Sequence, residues 1–323
     1  MTSARTRGEA RAGSALVVVA AALWGCWSLY FRTAEGLSPS LTAATESAVV
    51  FVVMAAAMVP LAVLSRRGVT AGDAGGDPEG DEGGDPGVAV APSSRARGAW
   101  ALLLLVGVVD AGNALCFFAA MQRTSVAVAV LSHYLTPLLV AAAAPWVLGE
   151  PARRSTWGAL AVALSGLVLL LRPWATPGAH DVEGALLGAA SAVFYAGNVF
   201  LSKRLQDRFD AAEIAGWPKL SATVVLVAFA VVAGGPLPSW TALAVLAVGG
   251  LVCGALPTVL FYAGLRRIPA SQASVLTLME PLVAVAVGVV VWGEALSGLG
   301  VLGGACVLAA AGWIARDAGR RAT

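Results

Sequence analysis

The sequence predicts an all-α integral membrane protein in which ten transmembrane helices form two inverted repeats of five helices. Three observations lead to this prediction. Hydrophobic residues make up 58% of the 323 residues and charged residues only 12%, which is far from the balance of a soluble domain. Apolar runs of about 20 residues recur along the chain, long enough to cross a hydrocarbon core as helices. A pattern in the first half also returns in the second half.

The apolar runs define the elements in order. Ten runs lie at roughly 13–33, 41–64, 99–121, 126–148, 154–172, 183–202, 211–233, 240–263, 270–292 and 296–315. The segments between them are mostly short, so consecutive helices are expected to be antiparallel. The expected units are a terminal segment 1–12, a first repeat 13–172, a second repeat 183–315 and a terminal segment 316–323.

The repeat is clearest around two proline–glutamate pairs. Pro137 and Glu150 return 144 residues later as Pro281 and Glu294, where SHYLTPLLVAAAAPWVLGE aligns with TLMEPLVAVAVGVVVWGE. The preceding CFFAAMQRTSVA aligns with LFYAGLRRIPAS at the same offset, and LWGCWSLYFR aligns more weakly with VFYAGNVFLSK at an offset of 170. Because five spans is an odd number, the second repeat enters the membrane from the opposite side.

The distribution of basic residues predicts the orientation. With the N-terminus in the cytoplasm, 17 Lys and Arg residues fall on the inner side, against three on the outer side and Lys219 within a span. The positive-inside rule therefore predicts cytoplasmic termini and a multi-pass protein of the plasma or inner membrane. The segment 65–98, rich in Gly, Asp, Glu and Pro, is expected to be a disordered cytoplasmic linker. Its six acids lack the spacing of a calcium site.

Ionisable side chains within the spans are the first candidates for a binding site. Each costs about 2.5–3.5 kcal/mol at the centre of a lipid-facing helix, so each is expected to face the interior of the bundle, a water-filled cavity or another such residue. The nine residues predicted to bind substrate or protons are Glu280, Asp110, Lys219, Glu46, His133, Asn113, Tyr195, Asn198 and Trp24. None is predicted to be catalytic.

Structural roles remain open for the same residues. Glu280 could form an interhelical ion pair with Lys219, and Asp110 could bond to Asn113, three residues along the same helix face. His133 could be a packing residue, while Glu46 lies close enough to the interface to reach outward. Trp24 belongs to an aromatic stripe that also suits plain helix packing. The sequence alone does not choose between these roles and a binding role.

Several motifs resemble those of EamA-type proteins of the drug/metabolite transporter superfamily. They are LWG early in the first span, the hairpin A-x-x-x-T-S-x-A-x-A at 120–129, the proline of the fourth span and the L-G-E that ends it. The resemblance covers nearly the whole chain and implies export of small metabolites, amino acids and their derivatives, or drugs by alternating access. Similar proteins often have an arginine near the start of the second span, where this chain has Glu46. The substrate does not follow from the fold.

The expected function is a secondary active transporter that exports a small metabolite, an amino-acid-like compound or a drug. In this hypothesis Glu280 and Asp110 alternately hold a proton and a cationic or zwitterionic solute. An uncoupled facilitator and a non-transporting sensor or assembly protein remain alternatives. No HExxH, GxSxG, P-loop or metal-spaced cluster occurs, so neither an enzyme nor a cofactor is expected. The expected partners are a small-molecule substrate and the lipid bilayer, without nucleic acid; a homodimer stays open.

Overall fold

The computed structural model of the chain describes residues 7–73, 94–175, 182–234 and 236–319. Within these ranges ten helical spans are long and apolar enough to cross a membrane, as the sequence predicts. Because the number of spans is even, the first span begins and the last span ends on the same side of the bundle. We call this side the terminal face and the opposite side the far face.

The first repeat supplies five spans, two of which are broken into a pair of helices. Its described helices are α1 (Arg7–Gly25) with α2 (Trp27–Leu37), α3 (Ala43–Asp73), α4 (Ser94–Arg123), α5 (Val126–His133) with α6 (Thr136–Val147), and α7 (Arg154–Leu171). A short 3-10 turn at Pro173–Ala175 follows α7 on the far face.

The second repeat supplies the other five spans. Its described helices are α8 (Val182–Leu205), α9 (Ala211–Ala233), α10 (Trp240–Gly249) with α11 (Leu256–Leu265), α12 (Ala270–Leu276) with α13 (Met279–Trp292), and α14 (Gly298–Gly319). A π-helical turn at Gly250–Ala255 joins α10 to α11. The broken fourth span, α5 and α6, corresponds to the broken ninth span, α12 and α13.

The packing of the spans follows the inverted repeat. Spans two and seven, which are counterparts, pack on each other through α3 and α9, and spans five and ten do so through α7 and α14. The third span packs on the sixth through α4 and α8, and the first packs on the eighth through α1 and α11. Spans three and eight are counterparts in the two repeats, and so are spans six and one. The contact between the third and sixth spans is therefore the counterpart of the contact between the eighth and first spans. The two halves therefore interlock, and most of the core lies between them.

Prolines cause the breaks in the fourth and ninth spans. Proline has no N–H to donate, and its ring clashes with the carbonyl four residues earlier. Each break falls just before its proline: α5 ends at His133, four residues before Pro137, and α12 ends at Leu276, five before Pro281. The carbonyl of His133 instead accepts a 2.8 Å hydrogen bond from the hydroxyl of Thr136. Each break places polar backbone and side chains near the middle of the bundle.

The same two spans end in the same way. Gly149 and Gly293 both adopt the left-handed conformation, with φ of 68° and 69°, which glycine adopts without steric cost. The N–H groups of Glu150 and Glu294, the next residues, donate to carbonyls six residues earlier, at 3.2 Å and 3.0 Å. The two glutamates therefore leave their helices in equivalent positions, on opposite faces of the bundle.

The structure corrects one boundary. Helix α3 continues to Asp73 and α4 begins at Ser94, so both ends of the predicted linker 65–98 are helical, and residues 74–93 lie outside the described residues. Polar contacts explain why α3 continues past the apolar run: Ser65 bonds to Asp210, and Arg66 pairs with Glu213 at 3.4 Å.

Candidate functional site

A cavity of about 820 Å³ enters the bundle from the far face. Its deepest lining residues, which include Asp110, Lys219 and Glu280, lie well inside the spans. Its mouth is lined by residues at the far ends of the spans, among them Arg32 and Glu294. The described bundle is therefore open on one side, and the opening leads to ionisable groups at mid-membrane depth.

The cavity brings most of the predicted binding residues together. Seven of the nine line it: Trp24, Asp110, Asn113, His133, Tyr195, Lys219 and Glu280. Asn198 and Glu46 are not among its lining residues. The Oδ1 atom of Asn198 accepts hydrogen bonds from the hydroxyls of Tyr262, at 3.0 Å, and Ser202, at 3.4 Å. Binding roles for these two residues stay predictions without support from the cavity.

Lys219 and Asp110 form an ion pair across two helices at the base of the cavity. The Nζ atom of Lys219 on α9 lies 2.5 Å from Oδ2 of Asp110 on α4, and the two side chains are 6% and 17% exposed. The ammonium group also lies 4.7 Å from the ring centroid of Phe51. The sequence left open an ion pair between Lys219 and Glu280. In the structure Lys219 pairs with Asp110 instead. Each charge of this pair is largely neutralised by the other.

Glu280 has a different environment. It lies in the first turn of α13, directly after the break in the ninth span, where the positive end of the helix dipole favours a carboxylate. The hydroxyl of Tyr134 lies near this carboxylate, and both residues line the cavity. Among the described residues, no Lys, Arg or His nitrogen lies within 4.0 Å of it. Glu280 is thus a cavity-lining carboxylate without a cationic partner there.

The geometry around His133 orients its ring. Its Nδ1 atom lies 2.8 Å from the hydroxyl oxygen of Ser191, and that hydroxyl donates to the carbonyl of Gly188 at 2.7 Å. Because the hydroxyl has a single proton, it accepts from Nδ1–H, and in the neutral form of the imidazole Nε2 is then the acceptor. The ring stacks on Tyr195 with centroids 5.5 Å apart and an angle of 9°. His133 is therefore a polar group fixed in orientation beside the cavity.

Aromatic side chains form much of the remaining wall. Trp27 and Phe31 stack with centroids 5.0 Å apart, and Phe31 meets Phe118 edge-on at 6.2 Å. Trp24 packs against Phe261 at 5.3 Å. The aromatic stripe predicted on the first span therefore faces the cavity. It offers an apolar surface to the carbon part of a solute and ring faces that attract a cation.

The terminal face is closed by polar contacts between the two repeats. Lys203 donates to the carbonyls of Leu265 and of Ile268, the latter at 2.8 Å, and its Nζ lies 3.7 Å from Glu150. The carboxylate of Glu150 accepts the backbone N–H of Ala270 at 2.9 Å. The ends of the fourth, sixth, eighth and ninth spans are joined by these contacts, which lie on the side opposite the cavity mouth.

Two further side chains strengthen this closure. Arg204 donates to the carbonyl of Val147 through Nε at 3.0 Å and Nη2 at 2.5 Å. The amide of Gln206 donates to the carbonyl of Tyr262 at 3.2 Å. Residues of the sixth span thus bond to backbone carbonyls of the fourth and eighth spans.

Some lining residues were not found from the sequence. Arg32 at the mouth pairs with Glu294 at 2.7 Å and lies 5.5 Å from the ring centroid of Trp292. Tyr134 reaches Glu280 from the adjacent broken span. The internal repeat could have identified these residues, because residues next to the two proline breaks and the two Gly-Glu ends occupy equivalent positions.

The comparison with protein families decides the class of the protein. The model of the EamA-like transporter family matches residues 87–172 and 182–316, which is more than half of the chain. The chain belongs to this family. The resemblance identified from the sequence motifs is therefore confirmed, and the two matched segments fall in the two repeats.

Individual relatives agree with the family. An uncharacterized transporter of Archaeoglobus fulgidus is 32% identical over 194 residues, which cover 60% of this chain and 68% of that protein. The threonine/homoserine exporter RhtA of Salmonella typhimurium is 28% identical over 209 residues, covering 64% and 68%. A protein of known crystal structure superposes with a TM-score of 0.69 at 21% identity, covering 94% of this chain and 96% of that one, and supports the fold.

These findings confirm a multi-pass membrane transporter with a small-molecule substrate. The family and its named relatives are transporters, in line with the expectation of a protein that is not an enzyme. The described residues of this EamA-like transporter thus combine ten candidate spans with a cavity that opens on the far face.

Proposed function

We propose that this EamA-like transporter exports a small zwitterionic or cationic metabolite of the amino-acid type, by alternating access and in exchange for protons. The observation that carries this proposal is Glu280, a cavity-lining carboxylate for which the described residues supply no cation within 4.0 Å. A carboxylate in such a place needs a positive partner, because an unpaired charge in the membrane interior is costly. A proton or the ammonium group of a solute can each meet that need.

Competition between these two partners would couple their movements. Glu280 binds either a proton or the solute's ammonium group, so arrival of one favours release of the other. When the site faces the side with the higher proton concentration, the proton replaces the solute. When it faces the other side, the solute replaces the proton. Proton-driven export follows from this exchange without any further cofactor.

The second charge of a zwitterion has a counterpart in the cavity. Lys219 lines the cavity as the partner of Asp110, and Tyr195 lines it beside His133. A solute with an ammonium group at Glu280 would direct its carboxylate toward the Lys219–Asp110 pair and share the ammonium group of Lys219 with Asp110. The relative named a threonine/homoserine exporter supports amino acids of this kind as the first solutes to assay.

Alternating access is supported by the two ends of the bundle. The terminal face is joined by Lys203, Glu150 and their backbone partners, while the far face is open to the cavity. The distribution of Lys and Arg supports cytoplasmic termini. With that orientation in the plasma or inner membrane, the structure corresponds to an outward-open state, which releases an exported solute.

The test compares small molecules inside and outside cells that express the wild type or Glu280→Gln. Threonine, homoserine and other amino acids are quantified by mass spectrometry in the medium and the cytoplasm. We expect at least one amino compound to accumulate in the medium with the wild type and not with Glu280→Gln.

Glu183→Gln is the matched control, because it makes the same chemical change at a side chain that is 62% exposed and pairs with Arg123. It should export like the wild type. Equal export by Glu280→Gln and the wild type would show that Glu280 is not the exchange site.

A further inference from the structure

We infer that Glu294 is the gate residue of the far face. In the state that closes the cavity mouth, its carboxylate accepts the backbone N–H of Val126, as Glu150 accepts the N–H of Ala270 on the terminal face here. The inference rests on the proposed alternating access and adds to it the residues that hold the second closed state.

The first support is the equivalence of the two glutamates. Each follows a left-handed glycine, Gly149 or Gly293, that ends a span. Each also donates its own N–H to a carbonyl six residues earlier. The side chains of Glu150 and Glu294 therefore start from matching backbone geometry, although one lies at the closed face and the other at the open mouth.

The second support is the partner that the repeat assigns to each glutamate. The offset of 144 residues that relates Glu150 to Glu294 also relates Val126 to Ala270. Both are the first residues of their helices, α5 and α12, where N–H groups lack a partner within the helix. Glu150 satisfies that of Ala270 at 2.9 Å.

Val126 differs from its counterpart Ala270 in its exposure and in the partner of its backbone N–H. It is 60% exposed and lines the cavity mouth. Within the part of the chain that the structure describes, its N–H has no hydrogen-bond acceptor. Ser125 caps the same helix end by accepting the N–H of Val128 at 3.3 Å, so the N–H of Val126 is the one open to a new partner. This N–H and the carboxylate of Glu294 lie on the rim of the same open cavity. A negative charge at that terminus would be favourable on closure.

The third support is the cation that accompanies each glutamate. Lys203 accompanies Glu150 on the terminal face, at 3.7 Å, and Arg32 pairs with Glu294 at 2.7 Å on the far face. With the offset of 170 residues that relates the first and sixth spans, Arg32 lies one position before the counterpart of Lys203. The described residues of the far face therefore include a counterpart for each component of the closed gate: Glu294 for Glu150, Arg32 for Lys203 and the N–H of Val126 for that of Ala270.

The experiment measures the width of the mouth in lipid nanodiscs, so that the result does not depend on the orientation in a cell. Spin labels are placed at Gln122→Cys and Leu299→Cys, two exposed far-face positions outside the cavity lining. Double electron–electron resonance then reports long distances for an open mouth and short distances for a closed one. The four native cysteines, none of them exposed, give a background that is measured on the protein without added cysteines.

Glu150→Ala is used to populate the closed mouth, because it removes the contact that seals the terminal face. Adding Glu294→Ala to this variant should lower the ratio of short to long distances by about fivefold, the effect of losing one side-chain contact to a helix N-terminus. Glu294→Gln should lower it less, since an amide oxygen can still accept the N–H. Glu35→Ala, at an exposed residue of α2 outside the cavity lining, should leave the ratio unchanged.

The outcomes separate this inference from the function it rests on. Short distances in Glu150→Ala that persist after Glu294→Ala would overturn the role of Glu294 and leave alternating access in place. Absence of short distances in every variant would overturn alternating access and the gate together. A loss of short distances on adding Glu294→Ala, but not Glu35→Ala, supports the gate.

Discussion

The Nζ atom of Lys219 lies 2.5 Å from Oδ2 of Asp110, and this contact joins α9 to α4 at the base of the cavity. Both side chains are largely buried, at 6% and 17% exposure. Removing one partner of such a pair leaves an uncompensated charge, whereas removing both does not. The pair therefore links the stability of the bundle to the charge of the cavity.

The first prediction concerns this pair. We expect Lys219→Met and Asp110→Asn each to lower the free energy of unfolding by about 3 kcal/mol, because each leaves the other charge alone. The double variant should be more stable than either single variant. Thermal unfolding of the purified protein in detergent measures the order of the three variants. Losses that simply add in the double variant would show that the two charges do not interact.

The second prediction concerns Glu46, which is 5% exposed and whose Oε1 has no hydrogen-bond partner among the described residues. A buried polar atom without a partner costs about 1–3 kcal/mol. Glu46→Gln keeps the shape of the side chain and removes its charge, so we expect a higher apparent melting temperature. The matched change Glu183→Gln, at a side chain that is 62% exposed, should have no such effect. A lower melting temperature for Glu46→Gln would indicate that its charge is paired.

The third prediction uses two glycines of α4. A Cβ added at Gly107 would clash with the carbonyl oxygen of Pro218, whereas one added at Gly98 would meet nothing within 4 Å. We therefore expect Gly107→Ala to separate α4 from α9 and to reduce the yield of folded protein severalfold. Gly98→Ala should be neutral or slightly stabilising, because alanine favours helix by about 1 kcal/mol over glycine. Size-exclusion chromatography of both variants measures the folded yield; equal yields would contradict the close packing.

Patterns that repeat along the chain predicted most of the fold. The ten apolar runs, the prolines at 137 and 281 and the glutamates at 150 and 294 specified the spans and their inverted order. These features act through burial, helix geometry and span length, which depend mainly on local sequence. The end of α3 was predicted too early, because Ser65 bonds to Asp210, which caps α9, and Arg66 pairs with Glu213 in the first turn of α9. No local pattern reveals these partners.

The site was predicted less completely. The high cost of an ionisable group in lipid led to the prediction of five site residues. Asp110, Lys219, His133 and Glu280 line the cavity, whereas Glu46 is not among its lining residues. Lys219 could pair with Asp110 or with Glu280, and the choice depends on how α4, α9 and α13 are arranged around the cavity. Asn198 shares a helix with Tyr195, yet it bonds to Tyr262 of a neighbouring span. Helix periodicity gives the face of a residue but not its partner.

The central claim is that Glu280 exchanges a proton for the solute. The most direct measurement follows the amino compound identified in the cell assay as it enters proteoliposomes with an acidic lumen. Because protons leave as the solute enters, the wild type should accumulate the solute above its external concentration, and dissipating the pH gradient should abolish this accumulation. Glu280→Gln should show no accumulation driven by the gradient, while Glu183→Gln should behave like the wild type. Accumulation by Glu280→Gln equal to that of the wild type would contradict the claim.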